Sequence, residues 1–415
     1  MVGALRAERS THKPEGLPQV SRRIWAGAVL TGFALVLSAC AGVDNPFSSN
    51  NNPPPPGPEA AQQAPANSIG TGQVKVALIL PLSAQGNAGQ VGVSMRNAAE
   101  LAISEFNNPD LQLLVKDDAG SPQGAQQAAQ QALDEGAQIV LGPLFAQSVQ
   151  AVGQIARSRN LPVIAFSTDA NAASRGVYLL SFLPETDVDR IVDYAIAQNK
   201  RSFVALVPDN PYGSVVEAEF RQYVARKGGR VMALERYPTD PSRMQAVVQN
   251  IAQSAGSADA LFLPGDGEAV SAVVQALEGG GVNLKRLQLL GTGLWEDPRI
   301  FSSPALAGGW YAGPDPNSPN NFRAFARRYS AKYGQEPART ATLSYDAVAL
   351  VAALVKTQGP RGLTNEVLTN PSGFAGIDGV FRFRPEGTNQ RGLAVLKVTT
   401  QGGQVISPAP KAFGN

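Results

Sequence analysis

At 415 residues the chain exceeds the usual single hydrophobic core, which implies two or three domains or lobes plus tails. Its 43% hydrophobic and 16% charged residues exclude disorder throughout, and thirty-five basic against thirty-three acidic residues leave no basic surplus for binding nucleic acid. The only histidine, His12, and the only cysteine, Cys40, lie in or beside a segment read below as a targeting signal, so the remainder offers no His general base, His-paired nucleophile, His/Cys zinc site or intrachain disulfide. With no paired-carboxylate or nucleophile motif either, the residues point away from an enzyme and imply no cofactor or metal.

Scattered positive charge over residues 1–23 ends in Arg22-Arg23 and is followed by the uncharged, mostly apolar run Ile24 to Leu37. That order is a charged n-region and an h-region, shorter than the roughly 20 apolar residues a membrane-spanning helix needs. Leu37-Ser38-Ala39-Cys40 follows at once and resembles a bacterial lipobox, in which the signal is cut before the cysteine and its thiol is diacylated. More than one acyl chain makes such anchoring stable. Residues 1–39 are thus expected to be a lipoprotein signal peptide with Cys40 as the lipid attachment. The alternative is a plain signal peptide or signal anchor with Cys40 an incidental thiol. Ala41 stands where inner-membrane retention favours Asp, so the resemblance implies periplasmic anchoring to the outer membrane. Residues 40–72, rich in Asn, Pro and Gln, include Pro53-Pro54-Pro55-Pro56 and show no apolar period, which predicts a disordered tether. At about 3.1 Å per residue in polyproline form, it would reach up to roughly 90 Å.

From Gln73 the pattern turns regular. Val74–Leu80 reads as a buried strand and Gly89–Phe106 as a helix, followed by strand Leu111–Lys116, helix Ser121–Glu135, strand Gln138–Leu141, helix Ala146–Arg159 and strand Pro162–Ala165. After a helix over Thr186–Asn199 the alternation restarts, with strands at Ser202–Val207, Arg230–Arg236, Ala258–Leu263 and Leu287–Gly291. Between them lie helices at Pro211–Gly228, Arg243–Ala255 and Glu268–Glu278. Helices Asn320–Tyr333 and Ala338–Thr357 and late strands Gly379–Phe383 and Gly392–Val398 complete the body. Continuous apolar strands separated by helices indicate parallel sheets covered on both faces, so the fold class is α/β, two doubly wound parallel-sheet lobes with a hinge. Ligands of such sheets sit beyond the carboxyl ends of the strands, which directs attention to the loops there. None carries a dinucleotide or Walker fingerprint, and Gly265-Asp266-Gly267-Glu268 lacks calcium-loop spacing and reads as a turn.

Several segments in this order resemble type I periplasmic binding proteins of the Leu/Ile/Val-binding branch, over about Val74 to Val398. They are Val76–Leu82 with Gly86 and Gly89, Lys116–Pro122, Gly142-Pro143, Leu161–Ile164, Tyr212-Gly213, Ser344–Ala347, and Gly376 through Gly387. The resemblance implies three chain crossings, with lobe one at about 73–184 and 313–359, lobe two at about 185–312 and 360–407, and a tail at 408–415. It also implies a ligand cleft lined by Gln147, Ser148, Ser167, Thr168, Asp169, Tyr212, Asp266 and Trp295. The family's amino-acid binders hold the ligand's charged ends with hydroxyls and acids. Here Ala146 or Gln147 stands for a Ser, Asp169 for a Thr, and the acidic clamp near Gly291–Trp295 is missing unless Asp266 or Glu296 replaces it. Free amino acids are therefore poor candidates. Residue by residue, Asp117 and Asp118 also suit turn or cap roles, Ser148 a cap, and Tyr212 and Trp295 hinge or core packing.

Gly142–Phe145, Ile164–Asp169 and Pro184–Arg190 look closer to the penicillin-binding protein activator lipoproteins. That resemblance implies a non-catalytic, lipid-anchored periplasmic protein whose partner is a peptidoglycan synthase. The helical-repeat domain of the enteric activators has no counterpart here. The alternative is a substrate-binding receptor of a branched-chain amino-acid-type ABC importer, with a small polar ligand and an ABC permease as partners.

Overall fold

The computed structural model describes residues 67–107, 109–238 and 243–414. The expected signal peptide, Cys40 and all but the end of the tether lie outside the described residues. The chain runs β1 (Ser68–Ile69), β2 (Val74–Leu80), α1 (Asn87–Glu105), β3 (Leu111–Asp117), α2 (Pro122–Asp134), β4 (Val140–Leu141), α3 (Ala146–Ser158), β5 (Val163–Ala165) and β6 (Val177–Leu179). It continues with α4 (Pro184–Ala197), β7 (Ser202–Pro208), α5 (Pro211–Arg226), β8 (Arg230–Tyr237), α6 (Met244–Ala255), β9 (Ala260–Phe262), α7 (Gly267–Gly279), β10 (Gln288–Gly291), α8 (Pro298–Ser302) and β11 (Trp310–Gly313). The last elements are α9 (Phe322–Tyr333), α10 (Ala341–Gln358), α11 (Asn365–Leu368), β12 (Phe374–Gly376), β13 (Gly379–Phe383), β14 (Asn389–Arg391), β15 (Ala394–Thr399) and β16 (Gly402–Ser407).

Two doubly wound sheets result. The first is ordered β1-β3-β2-β4-β5-β6, parallel except for β1, and the second β16-β15-β11-β10-β9-β7-β8, parallel except for β15, which runs antiparallel between β11 and β16. The alternation of side chains along each first strand divides two cores. On β2, Val76, Leu78 and Leu80 meet α1 and α10, while Ala77 and Ile79 meet α2 and α3. On β7, Val204 and Leu206 face one core and Phe203, Ala205 and Val207 the other. Each Val, Leu, Ile or Phe side chain among them contributes about 1.5–3 kcal/mol by its removal from water. In both sheets the strand order reverses beside the first strand, which opens a crevice at the carboxyl ends.

Two expectations need correction. Ser68–Ile69, assigned to the tether, pairs antiparallel with Leu113 and Leu114 at the sheet edge. Residues 360–391, assigned to lobe two, belong to lobe one: Leu363, Leu368, Phe381 and Phe383 join the first-lobe core, and Phe383 packs 5.4 Å from Tyr178, centroid to centroid. Phe381 and Phe383 share one face of β13, so a two-residue period turns both rings toward that core. The third crossing therefore falls at Gly392-Leu393.

Hinge contacts tie the first and third crossings. The Ser181 carbonyl accepts from Asn389 Nδ2 (2.8 Å) and Arg391 Nε (2.9 Å). Phe182 lies between two guanidinium groups, Arg339 and Arg391, each 4.6 Å from its ring centroid. Arg339 holds Asp378 with two hydrogen bonds (2.9 and 2.6 Å), and buried Asp346 accepts from the Ile377 N–H (2.9 Å). Burial, reinforced by the neighbouring Asp378, pushes the Asp346 carboxyl up to about 8. The native state thus holds that proton more tightly than the unfolded chain, so this stabilising term is complete at acid pH and is lost as pH rises toward 8. Asp346→Asn is expected to flatten the fall in stability between about pH 5 and about pH 8, by up to about 1.4 kcal/mol per pH unit. Urea denaturation at several pH values measures it; an unchanged slope would assign the proton elsewhere.

Candidate functional site

Local rules bring the crevice loops into place. Gly142 follows β4 with φ +97 and a cis bond to Pro143, and a Cβ on it would collide with the Ile79 carbonyl oxygen of the neighbouring strand. In the second lobe Asn210 Oδ1 accepts from the Gly213 N–H (2.8 Å) and Pro211 opens α5, while Asp266 Oδ1 caps α7 through the Glu268 and Ala269 N–H groups (3.1 and 2.9 Å).

The structure sorts the expected cleft residues into distinct groups. Tyr212 and Asp266 come together in a pocket of about 480 Å³, whose walls include Pro208, Tyr237, Met244, Ala272 and Leu294. The Tyr212 hydroxyl shares a hydrogen bond with Thr292 Oγ1 (2.9 Å), and the Tyr237 hydroxyl donates to the Pro264 carbonyl (3.2 Å). Burial pushes both phenols above the ordinary tyrosine range. Their polar ends are thus engaged within the protein, and their rings make the pocket aromatic. Gly265 is needed there, because a Cβ at that position would collide with the Tyr237 hydroxyl.

The first-lobe residues differ. Ser167 Oγ accepts from the Asp169 N–H (3.1 Å), and Asp169 Oδ1 accepts from Asn171 N (2.9 Å) and Nδ2 (3.0 Å), so both side chains hold their own loop. Thr168 and Gln147 are exposed. Ser148 is fully buried with its hydroxyl unpartnered, which removes it from the cleft surface. Trp295 is corrected from cleft to core: it is fully buried in the second lobe, with Nε1 donating to the Leu263 carbonyl (3.0 Å). Asp118 Oδ1 accepts from Gly120 N (2.8 Å) and Asp117 Oδ1 from Ala119 N (2.8 Å), both turn roles, while Ser121 caps α2.

Sequence reasoning missed Tyr237, Met244 and Leu294; a strand that ends in Tyr237 beside a crevice loop was the available signal. It also missed the rim. Four large apolar side chains are exposed among the described residues, Val93 and Phe145 in lobe one and Val215 and Leu294 in lobe two. All four lie in or within two helical turns of loops at the carboxyl ends of parallel strands. Single exposed apolar residues are ordinary, but their confinement to the crevice ends of both lobes marks surfaces suited to an apolar contact.

This bilobal architecture, with a pocket at the crevice end, is that of a ligand-binding protein with a hinge. A profile described as periplasmic binding protein matches residues 73–404, and the chain belongs to that family. The structure is similar to a Rhodospirillum rubrum protein provisionally assigned as a branched-chain amino acid ABC transporter. That match has a TM-score of 0.70 and 22% identity, covering 80% of this chain and 99% of that one. A Desulfitobacterium hafniense ABC transporter substrate-binding protein in complex with Leu matches with a TM-score of 0.59 at 18% identity (80% and 99% covered). A Rhodopseudomonas palustris solute-binding protein of an ABC transporter, in complex with 3,4-dihydroxybenzoic acid, matches at 0.56 and 20% (82% and 97%). At these identities the likeness is one of fold. An uncharacterized protein of Rickettsia prowazekii is 19% identical over 183 residues, 44% of this chain; the chain spans about half, 48%, of that curated relative. Among the described residues, no helix is long and apolar enough to cross a membrane.

Proposed function

We propose that the chain is the substrate-binding receptor of an ABC importer, which closes its two lobes over a small ligand and presents it to a permease. The observation that carries this reading is the aromatic pocket of Tyr212 and Tyr237, set at the crevice end with apolar residues on both rims. The ligand class follows from the lining. Ser167, Asp169 and Asp266 are each engaged through one oxygen in turns and caps, and the aromatic and aliphatic lining of the pocket suits a ligand with an aromatic or branched apolar body. The neighbours crystallised with Leu and with 3,4-dihydroxybenzoic acid supply the first compounds to try.

Thermal unfolding against leucine, phenylalanine, benzoate and 3,4-dihydroxybenzoate tests it. A ligand at 100 times its dissociation constant adds about 2.7 kcal/mol of stability, which a melting scan resolves. Tyr212→Ala is expected to weaken that ligand by about tenfold or more, measured by calorimetry, through loss of an aromatic wall. No shift with any member of these chemical classes would sink the receptor reading. The lipobox Leu37–Cys40 and the proline-rich segment after it support a second reading, a lipid-anchored activator reaching from the outer membrane to a peptidoglycan synthase. Capture of such a synthase by the full chain, with an unresponsive pocket, would favour it.

A further inference from the structure

The charge of the second lobe is divided between its two ends. At the crevice end, in the loops after β7, β9 and β10, Asp209, Asp266, Glu268 and Asp297 outnumber Arg236 and Arg299. The opposite end is basic. Lys200 and Arg201 lead into β7, Arg230 opens β8, and Lys285 and Arg286 precede β10. Backbone bonds bring these segments together. The Arg230 N–H donates to the Arg201 carbonyl (2.8 Å), the Arg201 N–H to Asp259 Oδ2 (2.9 Å), and the Gln288 N–H, just past Arg286, to the Asp259 carbonyl (3.0 Å). β10, β9, β7 and β8 are successive neighbours in the sheet, so at about 4.8 Å between strands the ends that carry these cations span roughly 15 Å.

Their charges are unspent. Arg201, Arg230, Lys285 and Arg286 are exposed and Lys200 is half-buried. The ion pairs beside them, Arg226 with Glu219 (3.0 Å) and Lys227 with Asp193 (2.7 Å), leave all five out, and Arg201 Nη1 reaches only the neutral Lys227 carbonyl (3.4 Å). Asp259 Oδ2 is taken up by the Arg201 and Ser202 N–H groups and the Ser202 hydroxyl (2.8 Å). Glu278, which shares a cavity wall with Lys285, is the other acid at this end without a cation of its own. The surplus is positive, and it is spread over a face rather than converging on a point. Such a distribution fits an extended anionic surface better than one small anion.

We propose that this basic end of the second lobe docks reversibly on anionic phospholipid headgroups. With Cys40 lipidated as the lipobox implies, a tether reaching up to roughly 90 Å keeps the body beside a phospholipid leaflet. The crevice lies at the far ends of the same strands, so docking leaves it turned away from the membrane and open to ligand. Each cation close to an anionic membrane strengthens attachment about fivefold, and the attraction fades beyond a Debye length of about 10 Å at 0.1 M salt.

Co-sedimentation of the full chain with vesicles tests this, comparing phosphatidylcholine alone with equal parts phosphatidylcholine and phosphatidylglycerol. Stronger partitioning onto the anionic vesicles is expected, and it should weaken as salt is raised. Arg201→Glu combined with Arg230→Glu should reduce that partitioning at least about tenfold. Lys285→Glu combined with Arg286→Glu, in a separate turn, should do the same and gives an independent reading if the first variant folds poorly. Arg323→Glu combined with Arg327→Glu makes the same change of net charge at exposed positions on α9 of the first lobe, and should leave most of the partitioning intact. Residues 1–66 are common to all of these proteins, so the differences report the body. No preference for anionic vesicles, unchanged partitioning in a folded second-lobe variant, or an equal loss in the α9 variant would each overturn the proposal.

Discussion

Arg391→Ala is expected to destabilise the protein by about 3–5 kcal/mol, because it removes the buried cation that faces the hinge acids. Arg391 is 5% exposed, its Nε–H donates to Ser181 O, and it packs against the rings of Phe182 and Phe381. Burial lowers its own pKa, while Asp378, Asp346 and Asp187 act in the opposite direction. Without it, Asp346 and Asp187 lose a countercharge that now holds their raised carboxyls down. Arg391→Met keeps much of the volume and separates packing from charge. Its cost in urea denaturation should be larger near pH 8 than near pH 5, because protonation of the orphaned acids relieves the defect at low pH. Equal cost at both would show that packing, and not charge, sets the effect.

Trp295→Ala should cost a comparable amount, about 3–5 kcal/mol, by opening a large cavity in the second lobe. The indole is fully buried beside Tyr311, and the backbones at Gly291 and Gly309 come so close that a Cβ on either would meet the ring. Trp295→Phe should recover most of the loss but leave the Leu263 carbonyl without its donor, a residual of about 1 kcal/mol. Ligand affinity of the folded Trp295→Phe protein should match that of the parent. A tenfold loss of affinity with stability intact would instead return Trp295 to the crevice.

The strands and helices were legible because their signals are local. Val74–Leu80 and Ser202–Pro208 are unbroken apolar runs, as strands covered on both faces must be, and caps such as Ser121, Asn210 and Asp266 mark helix starts beside them. Short elements escaped. β6 and β11 have only three and four residues, and β16 follows its partner through a tight turn, so none carries enough periodicity to stand out. Of the residues that the resemblance placed in the cleft, Tyr212 and Asp266 line the second-lobe pocket, whereas Trp295 lies in the core: an aromatic after a strand looks the same in sequence whether it turns out to solvent or in to the core.

By itself, then, the amino-acid order determined the alternating architecture, the loops at which a ligand could sit, and the exclusion of histidine and cysteine chemistry from the body. Only the tertiary structure decided which lobe receives residues 360–391, because that depends on which core accepts Phe381 and Phe383, a long-range packing choice. It also decided that Asp187, Asp346, Asp378 and the two arginines meet at the hinge, and that Arg201, Arg230 and Arg286 gather at one end of the second sheet. Those residues come from segments up to about 200 positions apart, and short-range periodicity holds no information about contacts that the crossings between lobes create.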